Sequence, residues 1–147
     1  MDRKFMIRAL ELARLSAREG EIPVGAVIVR DGEIIGEGRN MREGKKSALS
    51  HAEIEAIKNA NRKIADWRLD DCEMYVTLEP CVMCTGAIIN SRIKTLIFGA
   101  YDLEKGCADS RYALLDGSLG HTAEIYGGIM EDECKKVLTD FFDGIRK

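Results

Sequence analysis

Met74-Tyr75-Val76-Thr77-Leu78-Glu79-Pro80-Cys81-Val82-Met83-Cys84 is the stretch whose reading decides the fold: an apolar, strand-like run, then a proline and two cysteines three apart. The run predicts a strand over residues 74–78, and the segment from Cys81 to Ser91 reads as a helix. Thr95 to Phe98 is strand-like again, so the three pieces form a strand-helix-strand unit of the kind that builds parallel pairs. Toward the N-terminus, Val24 to Val29 is a short apolar run, and Asp31-Gly32 before Ile34-Ile35 reads as a tight hairpin turn. A helix over about 50–62 follows it. Phe5, Ala9, Leu12, Ala13 and Ala17 recur at helical spacing and predict a first helix over about 3–19, ended by Gly20. Toward the C-terminus a short strand is expected at Glu124–Tyr126. Then comes a last helix with Cys134, Val137, Leu138, Phe141 and Phe142 at i, i+3, i+4, i+7 and i+8. Together these predict an α/β layered domain, a central mixed sheet of five strands covered by helices.

At 147 residues the chain is long enough to bury a core without disulfides, and it reads as a single domain over 1–147. No apolar run approaches the roughly eighteen residues of a membrane span. The N-terminus opens directly into an amphipathic pattern, so the expected compartment is the cytoplasm. Five cysteines is an odd number, and two of them form the Cys-x-x-Cys pair, which does not describe a secreted disulfide framework. A net charge of -3 argues against a generic polyanion binder, although a local basic patch can coexist with it.

The chemistry lies in His51, Glu53, Cys81 and Cys84. Two thiolates and one imidazole suit zinc and leave a fourth tetrahedral position open, as catalytic rather than structural sites do. Cys81 and Cys84 project from one face of a helix start, where the dipole favours thiolate. Pro80 is read as part of the first turn, where its missing N–H costs nothing. His51 and Glu53 open the earlier helix and face the same point if the two helices pack side by side. Zinc there would lower the pKa of water to about 7, and Glu53 is placed to move its protons. Plainer readings exist for each residue alone. Ser50 and Glu53 fit a capping box, His51 a satisfied half-buried histidine, and Cys-x-x-Cys a redox pair; the conjunction favours one catalytic zinc per chain. Cys72, Cys107 and Cys134 are the remaining candidates for a fourth ligand: Cys134 reads as core, Cys72 as preceding a strand and Cys107 as following a loop that borders the substrate, while His121 reads as a surface turn ahead of a substrate contact.

These residues carry a resemblance. His-x-Glu followed by Pro-Cys-x-x-Cys is a zinc deaminase signature. With Glu21-Ile22-Pro23-Val24-Gly25-Ala26-Val27, Gly36-Glu37-Gly38-Arg39-Asn40, Trp67-Arg68-Leu69, Ser91-Arg92-Ile93 and Phe98-Gly99-Ala100, the chain resembles the bacterial tRNA adenosine deaminases of the TadA type over nearly its whole length. The resemblance implies a three-layer α/β/α cytidine deaminase-like fold, a homodimer, and conversion of adenosine to inosine at the wobble position of a tRNA anticodon. It implies His51, Cys81 and Cys84 as zinc ligands and Glu53 as the catalytic proton carrier. It further implies Asn40 as a contact to the target nucleoside, Val24 and Ala52 as walls of its pocket, and Asp102 near the sugar-phosphate backbone.

Past Gly106 the likeness thins. Cys107-Ala108-Asp109-Ser110-Arg111-Tyr112 replaces the family's small residues and glycine, Leu119-Gly120-His121-Thr122 replaces a more basic stretch, and Ser47-Ala48-Leu49-Ser50 stands before His51 in place of the usual Asp-Pro-Thr-Ala. Residues 101–147 hold six Lys or Arg against ten Asp or Glu, the wrong sign for phosphate. Lys135, Lys136, Arg146 and Lys147 are the candidates for a small basic edge. A second reading is therefore a deaminase of a free nucleobase or nucleoside, of guanine, cytosine or adenosine type, with a lid formed around Asp109, Arg111, Tyr112 and the last helix. A third, a non-catalytic RNA-binding or dimer-partner protein that keeps zinc for stability, sits poorly with the presence of Glu53.

Overall fold

α1 (Arg3–Arg18), β1 (Gly25–Arg30), β2 (Glu33–Arg39), α2 (Ala52–Ile64), β3 (Glu73–Leu78), α3 (Val82–Ser91), β4 (Thr95–Ala100), β5 (Glu124–Tyr126) and α4 (Glu131–Arg146) follow one another in the computed structural model, which describes residues 1–146. Lys147 lies outside them, as does the side chain of Arg146. The strands form one sheet in the order β2-β1-β3-β4-β5, antiparallel on the β1 side and parallel through β3, β4 and β5. This is the mixed five-stranded sheet the sequence predicts. Asp31 and Gly32 close the β1–β2 hairpin with φ of 51° and 76°, the two positive values a tight primed turn requires.

Alternation along the strands sorts the core into two layers. Ala26, Ile28, Met74, Val76, Leu96 and Phe98 face α2 and α3. Val27, Val29, Tyr75 and Ile97 face α1 and Cys134 of α4. Burying side chains the size of Tyr75 and Phe98 this completely contributes about 2–3 kcal/mol each.

Close approach of α2 to β2 is built on glycine. A Cβ at Gly36 would lie 2.5 Å from the Ala56 carbonyl oxygen, and one at Gly38 would run into the backbone of Ala52 and Ala56. The first turn of α2, which carries the site residues, therefore rests directly on the sheet.

The last helix meets the core at Cys134 and Val137. Cys134 is fully buried, but Val137, Leu138 and Phe141 are half-buried and Phe142 is 39% exposed, so most of the apolar stripe is not core. The expected basic edge is also neutralised along the helix, Lys135 pairing with Glu131 at 3.2 Å and Lys136 with Asp140 at 2.9 Å.

Candidate active site

β2, β3, β4 and β5 all run in one direction, with β1 reversed. α2 follows β2 and α3 follows β3, so both helices begin at the same edge of the sheet, beyond the carboxyl ends of the strands. Open α/β sheets place their sites at that edge. His51 is the N-cap of α2 and Cys81 the N-cap of α3, both in extended backbone and neither using its side chain as a cap. The helix starts are thus two residues later than expected for α2 and one for α3. His51 rather than Ser50 is the cap, which removes the capping-box reading of Glu53, and Pro80 precedes the cap instead of entering the first turn.

Freed from capping, the side chains turn toward each other. His51 Nδ1 lies 3.7 Å from Cys81 Sγ and 3.6 Å from Cys84 Sγ. All three ligand atoms fall within 4.8 Å of one another, a set that could hold a metal ion. Cys81 is drawn far below the usual thiol range, first by the hydrogen bond from Cys84 and also by His51; Cys84, the donor, is held above it. Glu53 is buried, and that burial raises its pKa to about 7.

These residues open onto a cavity of 590 Å³ lined by His51, Glu53 and Cys81, and by the expected substrate residues Val24, Asn40, Ala52 and Asp102. A larger groove of 710 Å³ runs between β2 and α2 but contains none of the three donors, so the chemistry belongs to the smaller one. Asn40 is held by its neighbours: Nδ2 donates to the Ile22 carbonyl at 3.0 Å, and Oδ1 accepts from Arg42 N at 3.1 Å. Each of those atoms keeps one further hydrogen or lone pair for a ligand. Asp102 Oδ1 accepts from the amides of Glu104 and Lys105, closing the turn below it.

Sequence reasoning missed part of the wall. Arg42, Glu79, Tyr101, Lys105, Leu138 and Phe142 also line the cavity. The helical spacing of Leu138 and Phe142 was the available signal, but it reads equally well as core. Of the lid or approach expected around Asp109, Arg111, Tyr112 and the last helix, the helix reaches the wall through Leu138 and Phe142, whereas the three loop residues are exposed and lie off it. Cys107 is buried with its Sγ donating to the Lys105 carbonyl, outside the donor cluster. His121 is half-buried rather than a free surface turn, its Nε2 2.7 Å from the Ile93 carbonyl oxygen.

Three donors, a buried carboxylate beside them and a cavity wide enough for a base, at the carboxyl edge of a mixed sheet, define a hydrolytic deaminase. The model of the MafB19-like deaminase family matches residues 1–145. A tRNA-specific adenosine deaminase of Haemophilus influenzae is 46% identical over 99% of this chain and 86% of its own length. A structure solved in work on A-to-I editing by tRNA:A34 deaminases at the wobble position superposes with a TM-score of 0.90 at 36% identity, over 93% of this chain and all of that one. A guanine deaminase from Bacillus subtilis matches with a TM-score of 0.65 at 41% identity, over 69% of this chain and 66% of that one. The chain belongs to the MafB19-like deaminases and, within them, to the family of tRNA-specific adenosine deaminases.

Proposed function

We propose that the protein converts adenosine to inosine at the wobble position of a tRNA anticodon, with one zinc ion per chain held by His51, Cys81 and Cys84. The observation that carries this reading is the convergence of those three donors beside a cavity at the sheet edge that His51, Cys81 and buried Glu53 line. Two sulfurs and an imidazole nitrogen are a fitting zinc set and leave one position open. When bound, zinc supplies the acidity that makes water a nucleophile near neutral pH. Glu53 takes a proton from the attacking water as the C6–O bond forms. It passes that proton to the ring nitrogen, then takes the second proton from the new C6 hydroxyl and hands it to the amino group, which leaves as ammonia as the C6–N bond breaks and the C6 carbonyl forms. Val24 and Ala52 wall the base, Asn40 orients the nucleoside through its spare hydrogen-bonding capacity, and Asp102 shapes the turn at the sugar-phosphate side. A base in a single-stranded loop is turned outward into such a cavity at lower cost than one in a duplex.

Near full-length likeness to a tRNA-specific deaminase supports RNA as substrate, as do Arg42 and Lys105 on the cavity wall. One observation favours the second reading, a free base such as guanine: Asp102 and Glu104 share that wall within an acidic C-terminal third. Ammonia release from an adenosine-containing anticodon stem-loop, beside a panel of free bases and nucleosides, separates the two. Inosine formed in the stem-loop alone supports the tRNA reading; turnover of a free base with none on the stem-loop overturns it.

We also propose a homodimer in the cytoplasm. Val82 on α3 is 65% exposed, beside the open position of Gly86, an apolar face suited to a second copy. The five cysteines form no disulfide with one another, which suits a reducing compartment. Among the described residues no helix is long and apolar enough to cross a membrane. Sedimentation at monomer mass would overturn the dimer.

A further inference from the structure

Glu79 directly follows β3, two residues before Cys81, and the residue is only 2% exposed. It does not turn toward the metal donors. Its Oε1 accepts from Asp102 N at 3.1 Å and from Ser110 Oγ at 2.5 Å, and its Oε2 accepts from Asp109 N and Ser110 N, both at 2.8 Å. One carboxylate thus gathers both ends of the segment from Asp102 to Ser110. Gly106 packs so tightly beneath it that a Cβ there would meet the Glu79 carboxyl group. The same segment is pinned to the next residue along by Cys107 N donating to the Pro80 carbonyl at 2.9 Å. Tyr101, Asp102, Leu103, Glu104 and Lys105 line the cavity together with Glu79 itself.

We propose that Glu79 is a positioning residue for substrate recognition: its carboxylate ties the Asp102–Ser110 loop to the strand end that carries Cys81 and so sets the shape of the cavity mouth. A carboxylate is required because every group facing it is a donor. Glutamine keeps one accepting oxygen and turns an NH₂ against backbone N–H groups. Three of the four donors are loop backbone amides, so the arrangement makes demands on the loop's side chains only at Ser110 and Gly106. That explains how a segment as altered as Cys107-Ala108-Asp109 keeps its path.

The proposal rests on the tRNA reading only for the choice of assay substrate. The test uses the zinc-loaded full chain as wild type, Glu79→Gln, Ser110→Ala and Gly106→Ala, with amide hydrogen exchange, bound zinc, and kcat and KM measured on each. Glu79→Gln is expected to speed exchange at Asp102, Asp109 and Ser110 and to raise KM for the stem-loop by about tenfold, the loss of charge-assisted hydrogen bonds. Zinc content and exchange in β3 and β4 hold, and kcat stays within about threefold, as for a group that orders binding rather than chemistry. Ser110→Ala gives a smaller step in the same direction, and Gly106→Ala reproduces Glu79→Gln from the other side of the contact. Unchanged exchange at the three amides overturns the proposal. So does a loosened loop with unchanged KM, or a parallel loss of zinc and kcat with KM held. A wild type inactive on the stem-loop refutes the tRNA reading instead; the same KM and kcat comparison is then read on the free base that it does turn over.

Discussion

His51 Nδ1 and Cys84 Sγ lie 3.6 Å apart although 33 residues separate them in sequence. The contact joins the starts of two helices that each leave the carboxyl end of a strand, and it exists because Gly36 and Gly38 let α2 settle onto the sheet. Site geometry and fold are therefore coupled at α2, and its first turn is where substitutions test both.

Glu53→Gln should leave the fold and the zinc complement intact while lowering kcat by about 10²–10⁴-fold, the usual contribution of a positioned acid-base group. Glu53 is buried on the cavity wall, and the amide is nearly isosteric with the carboxyl group. Single-turnover inosine formation beside metal analysis checks it. Activity within twofold of wild type would remove Glu53 from its assigned role.

Gly38→Ala should destabilise the protein by about 1–3 kcal/mol, as overpacking against backbone does. The new methyl group meets Ala52 and Ala56 in the turn that carries His51 and Glu53, so activity should fall further than stability alone explains. Urea unfolding with and without zinc, alongside kcat, gives both numbers. A neutral substitution would mean that α2 can lift from β2 without harm to the site.

The elements were legible in the sequence to within a residue or two because alternation in Val27 to Val29 and Met74 to Val76, and helical spacing in Phe5 to Ala13, report burial directly. The donor set was legible for a different reason: His51, Cys81 and Cys84 are residue types with few other uses in that spacing. What escaped was everything that depends on a long-range backbone partner. Nothing local distinguishes Glu79 from any glutamate before a proline, since the amides of Asp109 and Ser110 that it accepts from are groups nearly every residue possesses. The places of Leu138 and Phe142 were only half legible for a related reason. Their periodicity marks a face turned inward, but it does not say whether the facing surface is sheet or cavity.

His121→Ala should cost about 0.5–1.5 kcal/mol, the worth of one hydrogen bond, because it removes the partner of the Ile93 carbonyl at the α3–β4 junction. No change in kcat or KM is expected, since His121 lies off the cavity wall. Thermal unfolding and steady-state kinetics check the two halves separately. A rise in KM without loss of stability would reassign His121 to substrate.

Chelation of zinc should lower the unfolding temperature without unfolding the protein at 25 °C. An ion that binds only the folded state stabilises it by RT ln(1 + [L]/Kd), so its removal costs that increment alone. The two apolar layers on either side of the sheet, centred on Phe98 and on Tyr75, are assembled from side chains other than the proposed metal donors His51, Cys81 and Cys84. The same logic applies to His51→Ala, which should lose the metal and all activity yet keep its far-UV signature. The coupling of metal to structure seen in small zinc domains would instead predict collapse of the whole fold. Circular dichroism of the chelated protein and of His51→Ala at 25 °C decides between them: a random-coil spectrum would mean that the donors, and not the sheet, hold α2 and α3 in place.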